Sequence, residues 1–222
     1  MQIINKVQDA ILKDFGSVPD SQYFYLVGGT ALARFYLQHR QSNDLDFFTG
    51  QEEIIVPFSQ QLELYLKSKN FGCTRQRVFH SFVELVVTLK EESTLIHLAL
   101  DAAFRFSPTI EFPDYPKLKV DNLKDIASNK LLALFGRATL RDFIDVYFLI
   151  QRKHFSKQEL MEAAGCKDPG FDLYWLGVSF ERIHAFNAEA PDMLLLIESV
   201  KLSELQTFFD GWRAEIGKGL RS

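Results

Sequence analysis

The sequence predicts an α+β protein in which a sheet lobe flanked by helices, residues 1–120, is followed by a helical lobe, residues 121–222. In the first part, apolar and β-branched runs of strand length alternate with amphipathic helical patterns. In the second part, apolar residues recur at helical spacing almost throughout. Three prolines, Pro108, Pro113 and Pro116, interrupt the chain between the two parts. They predict a loop or a pair of short edge segments there.

Composition and charge narrow the class of protein. The 222 residues are 47% hydrophobic and 14% aromatic, which is enough for one domain or two small lobes sharing a core. A net charge of −4 argues against a general nucleic-acid coat protein, although a local basic cleft would not show in this total. Cys73 and Cys166 lack metal-ligand spacing and are expected to be buried thiols. Without a signal peptide or a long apolar run, the sequence favours a cytoplasmic protein.

The most informative stretch begins with a strand, a glycine turn and a helix. The apolar run Tyr23–Val27 predicts a buried strand that stops at Gly28 and Gly29, where the backbone can turn sharply and approach a ligand. Thr30 is expected to cap a helix over residues 31–38. A helix N-terminus presents free N–H groups and the positive end of the helix dipole. This turn therefore predicts a phosphate-binding site.

A second strand begins shortly afterwards at Asp44 and includes Asp46. Residues two apart in a strand point to the same face, roughly 6.5 Å apart along it. Two carboxylates held side by side repel each other, and a divalent cation relieves that repulsion. Mg²⁺ is the usual cation for transfer at phosphorus, so the pair predicts a magnesium site.

The rest of the first part alternates helices and strands. Helical patterns cover residues 3–15 and 56–69, and strand patterns cover residues 72–79, 82–90 and 94–102. The last strand ends beside Asp101. From its residue type and its position alone, Asp101 is better interpreted as an ordinary carboxylate at a strand end than as a metal ligand. On the same strand face, His97 is predicted to be a packed side chain rather than a catalytic one.

The second part opens with two helical patterns. The first is capped by Asp121 or Asn122 and ends at Gly136; it leaves Lys130 and Arg137 on one face, where charges are usually solvated. The second is capped by Thr139 and carries Asp142 and Asp145. Residues 157–222 are predicted to form packing helices joined by Trp175 and Trp212.

Two strings of residues resemble one known family. Gly28-Gly29, the following helix, His39-Arg40-x-Ser42, Asp44-x-Asp46 and Phe47-Phe48 resemble the first motif of the AbiEii/AbiGii toxin branch of the DNA polymerase β-like nucleotidyltransferase superfamily. The string from Lys130 to Arg137, followed by Arg141-Asp142-Phe-Ile-Asp145-Val-Tyr147, is similar to the second signature of that branch. The resemblance spans Tyr23 to Leu149 and implies a nucleotidyltransferase-type mixed sheet followed by a helical lobe.

This resemblance implies a site and a cofactor. The superfamily carries a third carboxylate on a strand next to the Asp-x-Asp strand. By this resemblance, Asp101 is expected to be a metal ligand rather than only a strand-end carboxylate. The implied metal set for Mg²⁺ is Asp44, Asp46 and Asp101. The implied catalytic set adds Lys130 and one aspartate of the second signature, either Asp142 or Asp145. The nucleotide-binding residues expected for an NTP substrate are Gly28, Gly29, Thr30, Ser42, Lys130 and Arg141, although Ser42 is better suited to capping the turn.

Three functions remain open at this point. The first, which the resemblance implies, is transfer of a nucleoside monophosphate from an NTP to RNA, at the acceptor end of tRNA, by a toxin that has an antitoxin partner. The second is transfer to a small-molecule or protein acceptor. The third is a binding module that has lost the chemistry; the intact aspartates argue against it.

An RNA acceptor would need a positively charged surface despite the acidic total. The sequence offers five basic side chains near the two motifs for such a surface. They are Arg34, His39, Arg40, Arg137 and Arg141.

Overall fold

The computed structural model describes residues 2–101 and 104–220. The predicted strand end at Ala102 and the outermost ends of the two predicted lobes, Met1 and Ser222, lie outside the described residues. The chain divides into two compact units. The first contains Met1–Tyr36 and Gln41–Asn122, and the second contains Leu37–Arg40 and Leu123–Ser222.

Within the described residues, the first unit is built on a seven-stranded mixed sheet. Its strands are β1 (Tyr25–Val27), β2 (Asp44–Thr49), β3 (Gly72–Phe79), β4 (Phe82–Leu89), β5 (Glu92–Leu100), β6 (Ile110–Phe112) and β7 (Tyr115–Val120). They lie in the order β3-β4-β5-β2-β1-β7-β6, with β2 parallel to β5 and β1 parallel to β7. The mixed sheet and the helical second part confirm the predicted fold class.

The prediction for the proline-containing segment was partly wrong. It forms two strands, but β7 lies inside the sheet between β1 and β6, so of these two only β6 is an edge strand. The reason is burial: Tyr115, Leu118 and Val120 are all buried, which gives β7 an inner position despite its proline. Prolines mark where a ladder loses a donor, but they do not reveal which side chains the core will take up.

Helices α1 (Lys6–Asp14), α2 (Gly28–Ala31) and α3 (Ile55–Ser68) belong to this unit, and α2 continues as one π-helical stretch over Leu32–Leu37. The ring of Phe47 stacks on Phe15 at 3.9 Å between centroids, and Phe15 meets Phe58 of α3 edge to face. Burial of these aromatic rings stabilises one face of the sheet. The opposite face carries Asp44 and Asp46 of β2.

The second unit is helical. Its helices are α4 (Leu123–Gly136), α5 (Leu140–Gln151), α6 (Lys157–Lys167), α7 (Leu173–Phe180), α8 (Pro191–Leu194) and α9 (Leu202–Gly219). Phe143, Phe180, Phe209 and Trp212 form an aromatic core between α5, α7 and α9. Trp212 is buried as predicted, whereas Trp175 is 59% exposed and does not join helices.

Two smaller observations concern the cysteines and the length of the helices. Cys73 is buried, but Cys166 is exposed, so the prediction of two buried thiols was wrong for Cys166. No helix among the described residues has both the length and the apolar character needed to cross a membrane.

Candidate functional site

Asp44 and Asp46 project from one face of β2. Along this strand, buried and partly exposed residues alternate, with Leu45 and Phe47 fully buried on the core side and the two aspartates partly exposed. Val27, the last residue of β1, lies opposite Asp46 in the antiparallel register. The carboxylates therefore share a face, as the spacing predicted, beside the point where the chain leaves β1.

Gly28 is the residue that makes this arrangement possible. Its φ is +71°, a left-handed conformation that favours glycine. A Cβ at this position would lie 2.5 Å from Asp46 Oδ2, so the Asp46 carboxylate would have to move away. The structure shows that the backbone approaches the Asp46 carboxylate here, and the predicted approach to a ligand stays a prediction.

The capping role predicted for Thr30 was wrong. The helix begins at Gly28 with Val27 as its N-cap residue, so Thr30 lies inside the first turn and is fully buried. Its hydroxyl lies 2.8 Å from Ser42 Oγ and also donates to the Asp44 backbone carbonyl. Thr30 and Ser42 thus fix the start of the aspartate strand to the glycine turn, in line with the turn role that the sequence favoured for Ser42.

His97 is a site residue that sequence reasoning missed. Its Nδ1 lies 2.8 Å from Asp46 Oδ1, and its Nε2 lies 3.4 Å from Glu84 Oε2. Glu84 in turn lies 3.6 Å from Arg77, so four side chains form a row across β2, β5, β4 and β3. The hydrogen bond to Asp46 raises the pKa of His97 despite partial burial. Only the cross-strand register brings His97 to Asp46, and no local sequence signal gives that register.

Asp101 does not join the pair, and the expectation that it completes the metal set was wrong. Asp46 is in register with His97, so Asp101 lies four residues further along, roughly 13 Å at the usual rise of a strand. Its N–H instead donates to the Thr49 carbonyl at 2.8 Å, and its carboxylate accepts the Tyr25 hydroxyl. Arg105 lies 3.8 Å from the same carboxylate. Asp101 is thus the strand-end carboxylate that its sequence context alone had favoured.

The donor set fits Mg²⁺ with two protein carboxylates. Among the residues that the structure describes, no group of three or more His, Cys, Asp or Glu side chains is arranged to bind a metal ion. Mg²⁺, however, is usually bound by one or two carboxylates together with waters and substrate phosphates. Partly exposed Asp44 and Asp46 on one strand face provide such a pair.

In the helical unit, Lys130 is held by Asp145. The Lys130 Nζ lies 2.7 Å from Asp145 Oδ2, and only 9% of the Lys130 side chain is exposed. Asp145 is fully buried and also accepts hydrogen bonds from Arg40 and His39. Burial alone would raise the pKa of Asp145, but the Arg40 and Lys130 charges hold it well below its usual range. Lys130 is therefore not on a solvated face, which was the ordinary expectation for its helical pattern.

Asp142 occupies a neighbouring position with a different set of partners. Its carboxylate accepts two hydrogen bonds from Arg137, at 2.8 and 2.9 Å, and one from the Thr139 hydroxyl at 2.6 Å. It lies 3.8 Å from Lys130. Although burial opposes it, Arg137 and Lys130 lower the pKa of Asp142. Of the two candidate aspartates, Asp145 is the one in hydrogen-bond contact with Lys130, and Asp142 completes the capping box of α5 with Thr139.

The expected basic surface is smaller than the sequence suggested. His39 is fully buried and Arg40 is 2% exposed, so both predictions of surface charge were wrong. The charge of Arg40 and the N–H donors of both residues are used inside the helical unit, on Asp145. Arg34 is partly buried and donates to the Tyr115 hydroxyl at 3.0 Å. Arg137 and Arg141 are exposed, and Arg141 lies 3.3 Å from Asp192.

Comparison with known proteins identifies the family. Residues 10–193 match the family described as "Nucleotidyl transferase AbiEii toxin, Type IV TA system". An uncharacterised protein of Aquifex aeolicus (strain VF5), aq_aa25, is 32% identical over 167 residues, which cover 72% of this chain and 73% of that protein.

Two solved structures share the fold. An inferred nucleotidyltransferase from H. pylori aligns with a TM-score of 0.64 and 21% identity, covering 97% of this chain and 94% of that one. MenT4, a nucleotidyltransferase toxin from Mycobacterium tuberculosis H37Rv, aligns with a TM-score of 0.62 and 18% identity, covering 95% and 81%. The family match extends over both motifs, and the chain belongs to the AbiEii family of nucleotidyltransferase toxins.

Proposed function

We propose that this nucleotidyltransferase moves a nucleoside monophosphate from an NTP onto RNA, with tRNA as the acceptor, and that it does so as the toxin of a toxin–antitoxin pair. The observation that carries the proposal is the pair of partly exposed carboxylates, Asp44 and Asp46, on one face of β2 beside the Gly28 turn. The family match supports the transferase and toxin character, and the RNA acceptor is the proposed refinement.

In this reaction a hydroxyl of the acceptor attacks the α-phosphorus of the NTP. The new P–O bond forms as the bond to the bridging oxygen breaks, pyrophosphate leaves with the electron pair, and the hydroxyl proton passes to solvent. Asp44 and Asp46 would hold Mg²⁺, which supplies Lewis-acid stabilisation of the charge on the phosphates. Asp46 is oriented for this role by Gly28 on one side and His97 on the other.

Two further elements are proposed to bind the triphosphate. The N–H groups of Gly28, Gly29 and Thr30 start a helical stretch and have no acceptor within it, which suits phosphate oxygens. Lys130 supplies a compact ammonium charge, which suits a phosphate contact. Thr30 and Ser42 contribute through backbone position, because their hydroxyls bond each other. Arg141, exposed on the surface of α5, is proposed as a second cation for the nucleotide or the acceptor.

A second acceptor class has one observation in its favour. His39 and Arg40, two of the five basic residues expected to attract RNA, are buried in ion pairs and hydrogen bonds. A small-molecule or protein acceptor, unlike RNA, would not need a large basic surface. The test below therefore separates these acceptors from RNA.

The experiment is transfer from α-³²P-labelled ATP, CTP, GTP and UTP, one at a time, by the purified chain with Mg²⁺. Each reaction receives purified tRNA, tRNA-depleted RNA or a small-molecule extract. The proposal expects label in tRNA with at least one NTP, and no label with Asp46→Asn or with EDTA. Label in the extract or on protein alone would replace the RNA acceptor. No transfer to any acceptor would overturn the proposed reaction.

The toxin role has its own test in cells. Expression of the chain alone is expected to slow growth, expression of Asp46→Asn is not, and a protein encoded beside the gene is expected to relieve the effect. The proposed substrates, NTPs and tRNA, imply a cytoplasmic site of action. Equal growth with the active chain and with Asp46→Asn would argue against a toxin that acts by this chemistry.

A further inference from the structure

The segment Leu37–Arg40 is part of the helical unit, although it follows the helix of the glycine turn in sequence. Its backbone is anchored there: the His39 carbonyl accepts the N–H groups of Ile197 and Glu198 at 2.9 and 3.0 Å. Arg152 donates to the Leu37 carbonyl. Because both its backbone and its side chains are used within this unit, the segment is a structural component of it and not a simple connection.

The side chains of this segment surround the carboxylate of Asp145. Oδ1 of Asp145 lies 2.7 Å from Arg40 Nε and 2.8 Å from His39 Nε2. Oδ2 lies 2.8 Å from Arg40 Nη2 and 2.7 Å from Lys130 Nζ. A carboxylate offers about four acceptor positions, so all of them are filled. The planar fork of Arg40 fixes the plane of the carboxylate, and Lys130 occupies the position that remains.

These three partners of Asp145 differ in charge and in the number of carboxylate oxygens that they contact. Burial lowers the pKa of His39 despite its hydrogen bond to Asp145, so His39 donates a hydrogen bond without adding a charge. Arg40 keeps its charge and contacts both carboxylate oxygens, whereas Lys130 contacts one. Of the charged partners of Asp145 in the described chain, Arg40 therefore provides most of the neutralisation.

We infer that Arg40 is a positioning residue for Lys130: by neutralising Asp145 it leaves the Lys130 charge available to an anionic ligand, while His39 holds the carboxylate in place. The inference rests on the proposed function for the identity of that ligand, a triphosphate. Its first consequence concerns the protein alone. Without Arg40, Lys130 would be the sole charged partner of Asp145 among the described residues, and the two would form a closed ion pair.

The test follows the reactivity of the Lys130 amine. The full-length chain is treated briefly with acetic anhydride at fixed pH, and acylation of Lys130 is quantified by mass spectrometry in wild type, Arg40→Met and Asp145→Asn. We expect Arg40→Met to acylate at least about threefold more slowly, because an unshared carboxylate holds the ammonium more strongly at short range. Asp145→Asn should acylate faster than wild type, because the carboxylate charge is gone.

The matched control is Arg137→Met. It removes an arginine that is hydrogen-bonded to the neighbouring carboxylate, Asp142, and leaves Asp145 with all its partners. Its Lys130 acylation rate should stay within about twofold of wild type, since a charge further from Lys130 acts more weakly. A rate in folded Arg40→Met that equals the Arg137→Met rate would overturn the inference.

Two further variants keep the test decisive if Arg40→Met does not fold. Arg40→Lys retains the charge but loses the planar fork. Lys130 in this variant should therefore be acylated more slowly than in wild type, but faster than expected for a Lys130–Asp145 pair that lacks Arg40. The double variant Arg40→Met with Asp145→Asn removes the charge of both partners, so its Lys130 should acylate faster than in wild type. A wild-type rate in both would contradict the inference.

A separate arm distinguishes this inference from the proposed function. Inorganic tripolyphosphate with Mg²⁺ should protect Lys130 from acylation in wild type, and about tenfold more ligand should be needed in Arg40→Lys, since Arg and Lys are not interchangeable at a bidentate site. If the rates rank as expected but tripolyphosphate gives no protection, the role of Arg40 stands and the phosphate role of Lys130 fails. If protection occurs but Arg40 variants are unchanged, the proposed function stands and the inference fails.

Discussion

The two units use aspartates in opposite ways. Asp44 and Asp46 are partly exposed on a strand face and lie side by side, with His97 in contact with Asp46. Asp142 and Asp145 are fully buried, and each is surrounded by cationic or hydroxyl donors. The first pair is accessible to solvent, which suits the cation-binding role proposed for it. The second pair uses its oxygens on the protein's own cations, so it can position a charge but is poorly placed to bind a metal.

This difference has a physical cause in the elements that carry the residues. A strand places residues two apart on one face, which concentrates like charge. Here α5 presents residues three apart to a buried helix interface, where a carboxylate is stable only when paired. The same residue type is therefore proposed to bind a metal in one unit and to position a side chain in the other. The predictions below test this contrast.

The largest effect is expected for the strand pair. Asp46→Asn should lower nucleotide transfer by at least about 100-fold, since even partners of metal ligands cost 10–100-fold when removed. The fold should persist and, without metal, gain slightly, because the repulsion between Asp44 and Asp46 is relieved. Initial rates and thermal melts on the same preparations check both points. Full activity in a folded Asp46→Asn protein would remove these carboxylates from the reaction.

Substitution of the buried Asp145 should lower the stability of the fold, unlike substitution on the strand face. Asp145→Asn leaves Arg40 and Lys130 without their shared carboxylate and is expected to cost about 3–5 kcal/mol of unfolding free energy. The matched substitution Asp44→Asn on the strand face should change it by no more than about 0.5 kcal/mol. Urea denaturation measures both. Equal losses for the two variants would erase the contrast between the units.

Lys130 provides a kinetic test of positioning. Lys130→Ala should raise KM for the NTP and lower kcat, together reducing kcat/KM by about 10–100-fold, because the charge would contact phosphates in both the bound state and the transition state. Lys130→Arg should restore only part of the activity, since a planar fork does not replace a compact ammonium. Steady-state kinetics with the preferred NTP measures both constants. Unchanged KM and kcat in Lys130→Ala would indicate that Lys130 has only a structural role.

The smallest effect concerns acid stability. The folded-state pKa values of Asp142 and Asp145 are lowered, so their stabilisation is fully present above the unfolded value of about 3.9 and is lost as pH falls through the folded values. Unfolding free energy should therefore drop as pH decreases below about 4. In Asp145→Asn the drop should be shallower, because one of the two groups no longer titrates. A wild-type slope in that variant would contradict the assignment.

Several elements of the fold, and the shared face of Asp44 and Asp46, could be predicted from local patterns. The β3 strand was placed correctly by alternation, and β4 ends one residue before its predicted limit. The strand spacing correctly put Asp44 and Asp46 on one face, and the two glycines correctly marked the point where the chain turns out of β1. These features depend on neighbours in sequence, which is why the sequence alone could reveal them.

What could not be predicted depends on distant partners. The register between β2 and β5 brings His97 to Asp46 and carries Asp101 away, and no local signal gives that register. The sequence suggests that Arg40 is a surface cation, but in the structure it forms a buried ion pair with Asp145, which is 105 positions away. Long-range pairing overrides the ordinary expectation for a charged side chain in both cases.

The most direct test of the central claim is metal binding measured without any reaction. Mn²⁺, as a paramagnetic substitute for Mg²⁺, can be titrated into wild type, Asp46→Asn, Asp101→Asn and Asp145→Asn and followed by electron paramagnetic resonance. We expect Asp46→Asn to lose the Mn²⁺ site, whereas Asp101→Asn and folded Asp145→Asn should keep it. Binding that survives Asp46→Asn, or that is lost equally in Asp101→Asn, would contradict the claim that the strand pair is the metal centre.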